Sequence, residues 1–242
     1  MDHVLIYSGG MDSYTLLHYI NNKRELRLRH PSLLGVPEEL RVLSFDYGQR
    51  HRKELDCAIA ECAKLGLHHQ IIDLSQYSAL LQGSALVKGP EANIDVPDGH
   101  YEAESMRLTV VPGRNTLMLS FAMAYAESLT LLHEKKYGQP GSATVYFGAH
   151  AGDHHIYPDC RESYVECFDS MARLATEAKV SIWAPFIDKT KGDILGIGKA
   201  LGLDYANTWT CYKGGERPCG KCGSCNERAE AFAENNMVDP TL

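Results

Sequence analysis

Strand-like and helix-like segments alternate along the whole chain, a glycine-rich loop follows the first strand, and most polar loops come after strands. Together these features predict an α/β fold with a parallel, doubly wound sheet, because right-handed βαβ crossovers cover both faces of such a sheet. At 242 residues the chain suits one domain of this kind with a small appendage. Apolar residues make up 44% and charged residues 23%, the balance of an ordinary globular protein rather than of a disordered one.

Residues 4–7 are an unbroken apolar run and read as a buried strand, with a helix over 13–20 behind it. Residues 42–45 form the second strand. The next helix carries Leu55, Ile59 and Cys62 on one stripe and stops at Gly66, a residue suited to a left-handed cap. A third strand over 69–74 is centred on Ile71 and Ile72, and a long helix covers 115–132. A strand over 144–148 precedes a helix over 161–175, whose Tyr164, Val165, Phe168, Met171, Ala172 and Ala175 recur at one-face spacing. The last strand covers 180–184, before a helix opened by Thr190 and closed by Gly202. Residues 23–39 and 133–141 read as solvated connections. Residues 83–104, acidic and rich in turn formers, read as a surface loop, with a lid as the alternative.

The charge balance, 24 basic against 31 acidic residues for a net −7, argues against a protein that coats nucleic acid, since phosphate contacts need Lys and Arg. The first apolar run lacks a basic flank and is too short for a signal-peptide core. The longest apolar stretch, 117–126, is interrupted by Ser120 and followed by Glu127, short of a membrane span. A cytoplasmic location is therefore expected, where the eight cysteines are reduced, metal-bound or catalytic rather than paired as disulfides.

Ser8, Gly9, Gly10, Met11, Asp12 and Ser13 lie between the first strand and its helix. Adjacent glycines let successive N–H groups converge on one point, and the helix N-terminus adds partial positive charge. The result is an oxyanion pocket, with Ser8 and Ser13 as hydroxyl donors and Asp12 as loop orienter or Mg2+ ligand. No Gly-Lys-Ser/Thr follows, so this is not a Walker loop.

Cys211, Cys219, Cys222 and Cys225 give C-x7-C-x2-C-x2-C with interspersed glycines. Four thiolates around tetrahedral zinc fit that spacing and would leave no open coordination position, so the metal would be structural. An iron–sulfur cluster and redox thiols are the competing readings.

Further polar groups gather in 45–51 (Phe-Asp-Tyr-Gly-Gln-Arg-His), 111–115 (Val-Pro-Gly-Arg-Asn), 148–153, 157–161 (Tyr-Pro-Asp-Cys-Arg) and 185–191. The motifs at 45–51, 111–115 and 157–161, with Ser-Gly-Gly-Met-Asp-Ser at 8–13, Thr-Cys-Tyr at 210–212, Cys-Gly-Lys-Cys-Gly-Ser-Cys at 219–225 and Arg228, form an ordered set. That set closely resembles the 7-cyano-7-deazaguanine (preQ0) synthase family, the QueC-type enzymes of the PP-loop pyrophosphatase superfamily.

The resemblance implies a Rossmann-like, adenine-nucleotide-alpha-hydrolase-like domain over 1–207 and a zinc-binding extension over 208–242. It further implies ATP-dependent conversion of 7-carboxy-7-deazaguanine and ammonia to the nitrile through adenylated carboxylate and adenylated amide, a homodimer, and zinc on the four cysteines named. Stable nucleic-acid or membrane partners are not expected. For phosphate charge the candidates are Arg114, Lys189 and Lys191. For substrate they are Asp159 accepting from the guanine-like edge, Tyr47, Tyr157 or Phe186 against the ring, and Arg161 on the substrate carboxylate. Cys160 reads as packing or substrate contact rather than nucleophile, Cys57, Cys62 and Cys167 as core, and Asp153, near His150, His154 and His155, as a further Mg2+ contact. An enzyme stopping at the amide, a PP-loop tRNA thiolase and an inactive nucleotide-binding partner are the alternatives.

Overall fold

A computed structural model of the chain describes residues 2–28, 39–81, 83–87 and 94–241, the side chains of 26–28 excepted. Five strands form one parallel sheet in the order β3-β2-β1-β4-β5: β1 (Asp2–Ile6), β2 (Leu40–Asp46), β3 (His68–Asp73), β4 (Ser142–Tyr146) and β5 (Lys179–Trp183). Among the described residues six helices surround it: α1 (Met11–Leu28), α2 (Lys53–Lys64), α3 (Arg114–Tyr137), α4 (Glu162–Ala175), α5 (Lys191–Ala200) and α6 (Gly223–Glu234).

β1 lies at the centre, with Leu5 opposite Val42 on one side and Tyr146 on the other. Because side chains alternate along a strand, Val4 and Ile6 enter the core beneath α3 and α4, whereas Leu5 and Tyr7 enter the core beneath α1 and α5. The chain winds from β1 to β2 and β3 on one side, then crosses to β4 and β5 on the other. The order therefore reverses between β1 and β4, and beyond their carboxyl ends such sheets leave a crevice.

All the expected strands and helices are present, with local corrections. On α2 the buried stripe is Leu55, Ala58 and Cys62, and Ile59 turns outward at 46% exposure. β3 is the edge strand, so Ile71 is exposed. The polar stretch beginning at His133 is not a loop: α3 runs to Tyr137 and ends on Gly138 at φ 66°, whose N–H donates to the Glu134 carbonyl. Cys167 is exposed on α4 rather than in the core.

Residues 23–28 of the expected 23–39 connection belong to α1, and 29–38 lie outside the described residues, as do 88–93 of the 83–104 stretch. What is described of 83–104 is more than a surface loop. Ser84, Ala85, Leu86 and Val87 are buried, and Val87 forms an isolated bridge with Gln49. Further on, Asp98 bridges Cys222, and Gly99 donates to the Lys221 carbonyl at 2.9 Å. The segment is thus a strap tied to the cysteine-rich turn. None of the described helices is long and apolar enough to cross a membrane.

Candidate active site

The glycine loop sits at the carboxyl end of β1, where the strand order reverses. Gly9 has φ 90°, and a Cβ there would lie 1.9 Å from the Glu54 carbonyl oxygen, so the loop can pass α2 only as glycine. The two serines brace the loop. Ser13 Oγ accepts from the Ser8 N–H at 3.2 Å, Ser8 Oγ accepts from the Gly10 N–H at 3.1 Å, and the hydroxyls meet at 2.9 Å. Met11 opens α1 and Asp12 occupies its first turn.

Asp12 Oδ2 lies 3.4 Å from Lys191 Nζ and 3.7 Å from His150 Nε2. Its other oxygen, Oδ1, is buried and finds no hydrogen-bond partner among the described residues. Lys191, the first residue of α5, also donates to the Glu227 carboxylate of α6. Burial pushes the Asp12 carboxyl upward, but the charges of Lys191 and His150 outweigh it and hold the group below its ordinary range. Burial likewise opposes the Lys191 ammonium, and the two flanking carboxylates more than restore it. The trio is a charge pocket: each buried member is bearable only because the others are present.

The facing wall comes from β2, α3 and the C-terminal segment. Arg114 begins α3 after Gly113 at φ 64°, and its guanidinium lies 6.0 Å from the Tyr47 ring centroid. Asn115 Nδ2 donates to Cys160 Sγ at 3.3 Å. Burial, with Asp153 and Asp159 nearby, pushes the Cys160 thiol well above its ordinary value, which suits a contact residue and not a thiolate nucleophile. The Tyr157 hydroxyl bonds Thr109 at 2.6 Å and approaches the Tyr212 hydroxyl at 3.5 Å. Of these groups, Tyr47, Arg114, Asn115, Tyr157, Cys160 and Tyr212 line one cleft with Ser8, Gly10, Met11, Asp12, Ser13 and Lys191.

Four expected site residues do not reach it. Phe186 is fully buried on the other side of the sheet, packed against Tyr19 with ring centroids 5.6 Å apart. Lys189 points outward and pairs with Asp188 at 2.7 Å. Asp159 accepts from the Asn115 backbone N–H at 3.3 Å and so caps α3. Arg161 Nε donates to the His154 carbonyl in an exposed bond of 3.0 Å. In each case a local partner, or the core, claims the side chain.

The cleft also holds residues with no role in the reading of the sequence. His51 and Glu54 line it beside Tyr47, with Nε2 and Oε1 3.4 Å apart. Burial pushes Glu54 up to about 8 and His51 down to about 3, so near neutral pH they meet as uncharged groups and not as an ion pair. His51 Nδ1 is buried without a hydrogen-bond partner among the described residues. Trp209 and Tyr212 reach the cleft from the C-terminal segment, which docks by a bond from the Trp209 N–H to the Gly9 carbonyl at 3.1 Å. The motifs containing His51 and Tyr212 were visible in the sequence, but which of their side chains face inward was not.

The four cysteines of the C-terminal segment converge, their Sγ atoms all within 4.8 Å of one another and Cys219–Cys225 at 3.9 Å. A tetrahedron with metal–sulfur bonds of about 2.3 Å has edges of roughly 3.8 Å, so the set can hold a metal ion with little movement. The N–H groups of Lys221 and Cys222 already donate to Cys219 Sγ at 3.4 and 3.3 Å. Arg228, further along α6, anchors the segment through Asp239, Thr208 and Thr210.

The family model described as queuosine biosynthesis protein QueC matches residues 2–236. The chain belongs to this family. A relative from Colwellia psychrerythraea named 7-cyano-7-deazaguanine synthase 1 is 48% identical over 98% of this chain and 96% of its own. Relatives named 7-cyano-7-deazaguanine synthase are 48% identical in Psychromonas ingrahamii and 47% identical in Alteromonas mediterranea, each over 98% of this chain and 95% and 96% of theirs. The matched range thus spans the glycine loop, the facing wall and the four cysteines of this QueC-family chain.

Proposed function

We propose that this chain is a 7-cyano-7-deazaguanine synthase, an ATP-dependent ligase that forms the nitrile from 7-carboxy-7-deazaguanine and ammonia while releasing AMP and pyrophosphate. The observation that carries the reading is the single cleft in which the serine-braced glycine loop and the Asp12–Lys191 pair face Arg114 and the Tyr157–Tyr212 wall.

A carboxylate is a poor electrophile. The loop N–H groups and Lys191 receive the pyrophosphate that departs as the substrate oxygen attacks the α-phosphorus, and they stabilise charge as it develops. Arg114 pairs with the anionic acyl-adenylate side of the cleft, and the tyrosines supply flat surfaces for the deazapurine. The ammonia lone pair then forms the C–N bond as the C–O bond to AMP breaks, and the nitrogen sheds its surplus proton to the Asp153 carboxylate on the cleft wall. Adenylating the amide oxygen and eliminating AMP, with loss of the remaining N–H protons, gives the nitrile. Enclosing these steps keeps water from the adenylates.

Asp12 is suited to hold Mg2+ through its orphaned Oδ1; the ion would neutralise phosphate charge. Cys211, Cys219, Cys222 and Cys225 would hold Zn2+ as a fixed clamp that does no chemistry on substrate. We divide the chain into a catalytic domain, 1–207, and this extension, 208–242. A homodimer in a reducing cytoplasmic compartment suits the thiolate set.

The test is incubation with Mg-ATP, ammonium and the acid, followed by mass spectrometry. Nitrile with two AMP per turnover is expected. Amide accumulating without nitrile would overturn the stated product, and no acid-dependent AMP would overturn the reading.

A further inference from the structure

Behind the cleft lies a second, much smaller chamber of about 20 Å³. Asp153, Tyr157, Tyr212 and Ser224 line both spaces and so form a shared partition. The outer walls are Tyr101 and Met106 from the strap, Ile156 from the loop after β4, and Glu227 from α6.

Size decides what the chamber can take. A site needs roughly 10–15 Å³ to admit one water-sized molecule, so this one holds a single small hydride and excludes the deazapurine, the ribose and the phosphates. Chemistry narrows the occupant further, since two carboxylates and three tyrosine rings make a poor site for an anion and a good one for a small nitrogen base or its cation. Two glycines keep the space open. A Cβ on Gly152 would come within 2.6 Å of Glu227 Oε1, and one on Gly223 within 2.8 Å of Met106 Sδ and 3.0 Å of Tyr101 Cα.

We infer that this chamber is the ammonia subsite, holding the nitrogen nucleophile beside the cleft until it passes between Asp153, Tyr157, Tyr212 and Ser224 to the acyl carbon. The inference rests on the proposed synthase activity and names where its second substrate enters. Of the groups around the chamber, Ile156 is absent from the lining of the main cleft, so altering it changes the chamber without touching the phosphate loop or Arg114.

The experiment uses the full chain with Mg-ATP and the acid, varying ammonium or methylammonium. Ile156→Phe fills the chamber and Ile156→Ala widens it. Acid-dependent ATP–pyrophosphate exchange, which needs no ammonia, reports adenylation alone. For Ile156→Phe the KM for ammonium should rise at least tenfold while exchange stays within twofold of the parent. For Ile156→Ala, use of methylammonium should rise at least tenfold, with the N-methyl amide as product by mass. Ammonium KM values unchanged in both variants, or nitrile formation and exchange falling together, would overturn the subsite. Absence of exchange in the parent protein would instead overturn the synthase reading on which it depends.

Discussion

The two ends of the chain meet at the same cleft but are held there by different physics. At the N-terminal end, residues 8–13 are fixed by their own hydrogen bonds: serine hydroxyls brace backbone groups, and Gly9 fits against α2 because it has no side chain. At the C-terminal end, the turns from Cys211 to Cys225 place four thiols together, with Gly214 and Gly220 both at φ 66°. Turns of that kind have little apolar surface of their own to bury, and a metal would supply the missing cohesion. The first region is fixed by its own bonds; the second is a set of thiols that a metal would complete. Substitutions at the two ends should therefore fail in different ways.

The largest effect is expected at the point where the two regions touch, Lys191. Lys191→Met leaves Asp12 and Glu227 buried without their shared cation, a change that costs about 3–5 kcal/mol when a buried pair loses one partner. On the proposed function, in which Lys191 stabilises the departing pyrophosphate, the same change should also lower kcat/KM by about 10²–10³-fold. Steady-state kinetics and thermal unfolding measure the two losses separately. A variant with both quantities near the parent would show that the charge trio does not join the two ends.

Next comes the thiol set. Cys222→Ser, or stripping metal with a chelator, should lower Tm by ~10 °C or more, since several kcal/mol shift a chain of this size by about 2–4 °C each. Proteolysis should then cut within 208–242 first. Gly9→Ala should instead abolish nucleotide binding while leaving bound metal unchanged, as measured by elemental analysis. Identical behaviour of the two variants would erase the contrast.

A smaller effect is expected from Glu54. Its carboxyl is pushed up to about 8 by burial, whereas the unfolded chain titrates near 4.5. Between those values the folded state binds more protons, so stability falls as pH rises through that window. Glu54→Gln should flatten the slope, gaining up to a few kcal/mol at pH 8 and little at pH 4, as read by urea unfolding at several pH values. The smallest effect belongs to Lys189→Ala: its ammonium is exposed and serves Asp188, so kcat/KM should stay within about twofold.

The fold was legible because hydrophobic runs of strand length alternate with amphipathic stretches, and the phosphate loop because its glycines follow β1 directly. The facing wall was less so. Phe186, Asp159 and Arg161 follow strands or sit in motif loops, and their residue types suit the chemistry, yet burial, helix capping and a surface bond to His154 claim them. Conversely, His51, Glu54 and Tyr212 become site residues only once α2 and the C-terminal segment have docked, a fact of tertiary packing that no local pattern encodes. The same holds for the 83–104 strap, whose turn formers suggested solvent and whose Gly99 and Asp98 instead pair with the cysteine-rich turn.

The bond from Trp209 to Gly9 has a consequence for biogenesis. A nascent chain would already carry the pyrophosphate cradle while its closing wall was still unmade, so an activated acid bound at that stage would stand open to hydrolysis. Because Trp209 and Tyr212 are translated after all five strands, the glycine loop can form before the wall that closes over it. On the proposed function, a chain short of metal would keep the glycine loop intact but leave it roofless.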